Sequence, residues 1–261
     1  MSPARRLRGL KDAIKARRGS SNPLVRSGAR TLHSVYAALL EVGDVATDPM
    51  RRSFVPLRWF REAELHQASG DTGFDRYPAI FAASRRYFEG RRNLNLLSFG
   101  CSTGEEVVTL RNHFQDAFIV GVEINPRSLA ICRARSLDDR IVFLASDRDS
   151  VWRRGPFDAI FCLAVLQRHP SKVARDAPAN LAPIYPFARF DDQIRQFERM
   201  LKPGGLLVVH AKAYRVEDST VADRFLPLEN APFLGPDGPK YGPDERPLPT
   251  SATAGSLFVK A

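Results

Sequence analysis

The rhythm of apolar and polar positions changes twice along the chain. Up to about residue 92, apolar residues recur three or four apart, as in "RTLHSVYAALLEVG" (30–43) and "YPAIFAASRRYFEG" (77–90), and each run stops at a glycine. That spacing predicts amphipathic helices, with Asp75 a candidate N-cap for the second. From 94 to 210 the pattern becomes short apolar runs separated by helical ones: "LNLLSFG", "FIVGVEI", "IVFLAS", "FDAIFCLAV" and "GGLLVVHA". Apolar runs alternating with helices predict parallel strands in a sheet covered on both faces. Pro170 to Arg189 is irregular and dotted with prolines. Pro227 to Pro249, rich in Pro, Gly and Asp, reads as a long loop before a last strand, "SLFVKA". No internal repeat is present. The expected architecture is α/β: a doubly wound, Rossmann-like, mostly parallel sheet with an N-terminal helical extension.

Charge divides the chain further. Residues 1–30 hold nine Lys or Arg against one acid, Asp12, so +8 of the net +10 sits in this arm. Three readings stand for it: a solvated terminus, a contact for an anionic membrane or RNA, and an organelle transit segment. The expected organisation is a basic arm at 1–30, a helical cap at 31–92 and a ligand-binding domain at 93–261. Three cysteines (Cys101, Cys132, Cys162) form no C-x-x-C pair, which indicates neither a disulfide framework nor a zinc ribbon, and no metal site is expected. The longest uncharged apolar run, Ala159 to Leu166, has eight residues. A bilayer span needs ~18. A cytoplasmic location is the expectation.

The candidate chemistry begins at "LLSFGCSTGEEVVTL" (96–110). A strand, a glycine turn and a helix make the nucleotide-binding corner of a doubly wound sheet. A dinucleotide site calls for G-x-G-x-x-G, so that helix N-terminal amides meet a pyrophosphate. Here the positions read G-C-S-T-G-E, failing at Ser102 and Glu105. Glu105 and Glu106 suit the positive end of a helix but would repel a pyrophosphate. S-adenosylmethionine has no phosphate, and it carries an ammonium and a sulfonium that nearby acids favour. Glu123 ends the second strand, 23 residues after Gly100, where an acid can accept hydrogen bonds from both ribose hydroxyls. Asp147 ends the third strand, within reach of an adenine amino group. The bland alternative for both acids is a turn or helix cap.

These blocks resemble the class I S-adenosylmethionine-dependent methyltransferases, whose sheet has seven strands. "FGCSTGEEV", "GVEINPRSL", "ASD" and "LKPGGLLVV" carry the resemblance, which covers about 94–212 plus the final strand. The loop is most similar to that of the chemotaxis-receptor glutamate methyltransferases, which share C-S-T-G-E-E, although their small β-subdomain has no counterpart here. The resemblance implies cofactor contacts from Gly100, Ser102, Gly104, Glu105, Glu123, Asp147 and the backbone near Leu163. Ser98 and Ser102 depart from the family, where an acid and a middle glycine are frequent.

The acceptor is read from the chain after the fourth strand. "CLAVLQRHP" (162–170) has none of the N/D-P-P-Y/F run found in enzymes that methylate base amines or glutamine amides. No Pro-Cys pair suggests attack on pyrimidine carbon. An oxygen acceptor, hydroxyl or carboxylate, on a small molecule or glycan is expected. A protein carboxylate, or a non-catalytic module docking on RNA or membrane, is the alternative. His169, just past the strand, is the candidate general base; its bland reading is a surface histidine at the strand end. His210 is a weaker candidate, and His33, His66 and His113 read as structural.

Overall fold

The computed structural model describes residues 47–135, 137–232, 234–235, 238–249 and 254–261. The basic arm and the first predicted helix therefore lie outside the described residues. The chain divides into two compact units, Met1–Arg52 and Ser53–Ala261. In the first, Asp48 Oδ1 accepts the Met50 amide at 2.8 Å, at the start of helix α1 (Pro49–Phe60).

In the second unit, α2 (Pro78–Tyr87) is the predicted second helix. It starts with proline at its first position, where a missing amide hydrogen costs nothing. Tyr77, and not Asp75, is its N-cap residue; Asp75 sits at φ 45° and its carboxylate lies 3.8 Å from His113 Nε2. The sheet then builds from β1 (Asn95–Phe99), β2 (Phe118–Glu123), β3 (Ile141–Ala145), β4 (Phe157–Leu163), β5 (Leu201–His210), β6 (Phe225–Pro227) and β7 (Leu257–Lys260). Between them come α3 (Glu105–His113), α4 (Pro126–Ala134), α5 (Arg148–Trp152), α6 (Pro170–Asp176) and α7 (Phe187–Met200).

The seven strands lie in the order β3-β2-β1-β4-β5-β7-β6. β1 pairs in parallel with β2 (Leu97 with Val120) and β4 (Leu97 with Ile160), while β7 runs antiparallel to β5 (Leu207 with Phe258) and to β6 (Leu226 with Val259). All seven residues of β4 are buried, and all but Asp158, which accepts from the Asn95 amide and Lys202 Nζ at 2.8 Å each, are apolar, as a strand covered on both faces requires. One apolar cluster includes Ile160 and Val209 with Phe190, Ile194 and Phe197 of α7; another includes Leu96 and Phe161 with Ile80, Phe81, Val107 and Leu110. The predicted doubly wound sheet is thus present, and its order reverses between β1 and β4. In such a sheet that switch point opens a crevice at the strand carboxyl ends.

Pro170 to Arg189, read as irregular from sequence, contains α6 and the start of α7. The Pro227 to Pro249 tail is irregular as expected, yet it is pinned. Tyr241 is fully buried, its amide donates to Ala213 O at 3.1 Å and its hydroxyl donates to Pro178 O at 3.2 Å.

Candidate functional site: a cleft at the β1–β4 switch point

The turn after β1 is held by backbone geometry. Gly100 adopts φ 76°, and a Cβ there would come within 2.6 Å of Val165 Cγ2, so glycine answers both a conformational and a packing demand. The Gly100 and Cys101 amides both donate to Val122 O, at 2.8 and 3.0 Å. Gly104, at φ 96°, is the N-cap residue of α3. From outside, the last turn of α4 clamps the loop: Cys132 Sγ donates to Ser102 O at 3.0 Å and Arg135 Nε to Thr103 O at 2.6 Å.

Glu123 closes the turn from the next strand. It is 7% exposed; Oε2 accepts the Ser102 amide at 2.8 Å and Oε1 the Asn125 amide at 2.7 Å. Burial pushes its pKa up, and the amides of Asn125, Ser102 and Ile124 oppose that shift. A carboxylate has about four lone-pair sites, so acceptor capacity remains for a ligand. It lines an open cleft of about 810 Å³, with Gly100, Ser102, Leu163 and Val165.

The family description "Methyltransferase domain" matches residues 97–207. That span runs from β1 to β5 and contains the loop, Glu123 and the switch point. Residues 97–207 are a class I S-adenosylmethionine-dependent methyltransferase domain. A tRNA (guanine-N(7)-)-methyltransferase of Chloroflexus aggregans is 30% identical over 156 residues, 59% of this chain and 64% of that protein. The chain thus spans less than two thirds of that relative's length. Among solved structures, an amino pentose methyltransferase from Micromonospora echinaspora, bound to S-adenosylmethionine, is 25% identical with a TM-score of 0.36, over 51% of this chain and 48% of that one. A phosphoethanolamine N-methyltransferase of Haemonchus contortus is 17% identical with a TM-score of 0.38, over 54% and 29%.

The residues lining the methyltransferase domain's cleft fit that cofactor. Glu123 offers a buried acceptor to a diol, and the loop presents no cation suited to a pyrophosphate. The acid that faces the loop is Glu106. With Arg76, Gly100, Ser102 and Leu163 it lines a recess adjoining the cleft, and Ser98 Oγ donates to its Oε1 at 2.7 Å. Ser98 stands where the resemblance implies an acid. Here the strand supplies the hydroxyl and the helix supplies the carboxylate. Burial pushes Glu106 up to about 7, against the Ser98 hydrogen bond and the Arg76 charge.

Glu105, expected at the cofactor, is not among the cleft's lining residues; its carboxylate is bound by Arg135 and by Thr103 Oγ1. At the first position of α3 it turns outward toward α4, whereas the next residue, about 100° around the helix, turns inward. Asp147 also departs from expectation. Its Oδ1 caps α5, accepting the Asp149 and Ser150 amides at 3.1 and 3.5 Å, and it lines an adjoining hollow in place of the cleft. Its neighbour Ser146 lines both. His169 is exposed, adopts φ 49° at the start of α6 and lies outside the cleft, so the base expected there is not brought to the site. The αL backbone at His169 belongs to the turn into α6. Gly100, Ser102, Glu123 and Leu163 are brought together; Gly104 supports the turn from behind.

Sequence reasoning missed a wall built by residues 54–76, including His66, Gly70, Asp71 and Arg76. Buried Arg168 anchors this segment through Leu65 O and a two-oxygen contact to Glu62 at 2.9 and 2.7 Å, and Arg61 reaches Ser146 O at 2.9 Å. Ser102 Oγ donates to Gly70 O at 2.9 Å, tying wall to loop. His66 is held between Tyr185 Oη at Nδ1 (2.6 Å) and Gln193 Oε1 at Nε2 (3.2 Å). Burial is the main reason its pKa falls to about 4, with Arg189 and Arg168 nearby adding to the effect. It is therefore neutral at pH 7, with both ring nitrogens engaged.

Proposed function

We propose that this chain transfers the methyl group of S-adenosylmethionine to an oxygen of a small-molecule or glycan acceptor, a carboxylate in preference to a hydroxyl. The observation that carries the cofactor half is Glu123, buried at the end of β2 with acceptor capacity facing the cleft. When bound, the cofactor supplies an electrophilic methyl on a sulfonium. Glu123 takes the ribose diol, while Glu106 and Arg76 stand where they can address the ammonium and carboxylate of the methionine portion. The 61–76 segment covers the cleft and reduces water access, so the chain acts mainly by positioning.

The acceptor half rests on His66. It is the cleft's histidine among the described residues, and its ring nitrogens are already committed to Tyr185 and Gln193. A neutral hydroxyl would need a base. A carboxylate arrives ionised. A second reading, an RNA acceptor, is favoured by the tRNA-modifying relative and by the +8 arm.

Calorimetry with S-adenosylhomocysteine tests the cofactor assignment. Glu123→Ala should weaken binding by about 1–3 kcal/mol, because two hydroxyls lose a charged partner. Unchanged affinity in a folded variant removes Glu123 from the site. Labelled cofactor incubated with a small-molecule extract and with tRNA separates the acceptors. A base-labile methyl product supports the carboxylate reading, and label retained on guanine replaces it.

A further inference from the structure

A second hollow, of about 840 Å³ including its mouth, opens between α5 and α7. It shares Glu64, His66, Phe99 and Ser146 with the cofactor cleft but includes none of Gly100, Ser102 or Glu123. Its apolar wall is Ala63, Phe99, Val151, Trp152 and Met200. In that wall stands an unpartnered donor. Gln193 is 6% exposed; its Oε1 accepts from His66, while its Nε2 has no hydrogen-bond partner. In the structure the Gln193 oxygen faces His66 Nε2; in the Nε2–H tautomer of the neutral ring that nitrogen donates to Gln193 and Nδ1 accepts the Tyr185 hydroxyl. A buried donor with no acceptor destabilises the fold by its lost hydration, a deficit that a ligand acceptor would remove.

Charge narrows the ligand further. The hollow's acids are already engaged: Asp147 caps α5, Asp192 pairs with Arg195, and Glu64 pairs with Arg61. Arg148 also lines the hollow, and its guanidinium has no hydrogen bond or ion pair among the described residues. Arg189 stands on the same wall, 3.4 Å from Leu65 O and 3.7 Å from Glu62, with its guanidinium over the Tyr185 ring at 5.8 Å. An unpaired amide donor and an uncommitted cation beside a Trp, a Phe and a Met describe one class of ligand. We propose that this hollow binds a small carboxylate carried on an aromatic or branched apolar body, one oxygen taking the Gln193 Nε2 hydrogen and the charge facing Arg148. The site stands whether or not the acceptor assignment above holds.

The chain contains two tryptophans, and Trp59 is 80% exposed on α1. A Trp59→Phe background therefore leaves Trp152, in the hollow, as the only indole emitter. Titrating this protein with benzoate at millimolar concentration should give a saturable change in Trp152 emission. Gln193→Glu keeps an oxygen for His66 but sets a negative charge against the ligand, and should weaken benzoate at least about tenfold. Arg148→Gln, at an exposed position, should weaken it severalfold while leaving benzamide, which lacks the charge, unaffected. Both variants should bind S-adenosylhomocysteine as the parent does, which certifies the fold and separates this site from the cofactor cleft. No saturable response to benzoate overturns the proposal. So does a response that neither substitution changes.

Discussion

Glu106 and His66 couple the site to pH in opposite directions. Glu106 is raised from an ordinary 4.5 to about 7, so the folded chain holds that proton more tightly than the unfolded one. The associated stability is present below pH 4.5 and is lost as pH rises through about 7. Glu106→Gln keeps an acceptor for Ser98 and should raise stability at pH 8 by up to about 3 kcal/mol, with little change at pH 5, as read from denaturant midpoints. A bound ammonium favours the ionised carboxylate. Parental affinity for S-adenosylhomocysteine should therefore rise severalfold from pH 6 to pH 8, and the variant should lose that slope; a flat parental profile separates Glu106 from the ligand. His66 is lowered from 6.5 to about 4, so its contribution is complete above pH 6.5 and is lost as pH falls through about 4. His169 is the contrasting residue. Exposed and outside the cleft, it should tolerate alanine with turnover within about threefold of the parent across pH 6–9, less than the ~10²–10⁴ a lost general base costs.

At the scale of elements, α7 is the most informative helix. Phe190, Ile194 and Phe197 fall four and three residues apart and are fully buried against the sheet, with Phe197 meeting Phe99 edge-on at 5.0 Å between ring centres. Phe197→Ala should cost about 3–5 kcal/mol by urea unfolding, because the cavity would open where β1 ends at the cleft. A cost below ~1 kcal/mol would show that the helix relaxes into the space. The strands were legible because parallel strands buried on both faces must be apolar throughout, and Leu96–Phe99 and Ala159–Leu163 are so apart from Ser98. α6 was not legible. "PSKVARD" is too short to display a helical stripe, and its one buried residue, Val173, gives no period.

At the scale of the whole molecule, charge is the dominant asymmetry. We propose that the arm at 1–30 serves an anionic partner and takes no part in holding the cofactor, consistent with the division into arm, helical cap and 93–261 domain expected from sequence. Truncation after Arg30 removes +8 of the net +10. S-adenosylhomocysteine affinity should survive it, while salt-sensitive binding of the full chain to RNA or anionic vesicles should disappear. If the full chain binds neither at low salt, the arm has no such role.

By itself the sequence determined the sheet class, the glycine turn and the acid at the end of β2, because each follows from local rules: strand periodicity, φ at a tight turn and the spacing of one βαβ unit. It could not decide which of two adjacent glutamates faces the recess beside the cleft. That choice depends on the angle of α3 and on Arg135 reaching Glu105 from the end of α4, 30 residues away. Nor could it bring His66 beside Gln193, 127 residues apart, or build a cleft wall from residues 54–76. Those contacts exist only after distant segments pack, when burial fixes which polar groups find partners and which, like Gln193 Nε2, are left without one.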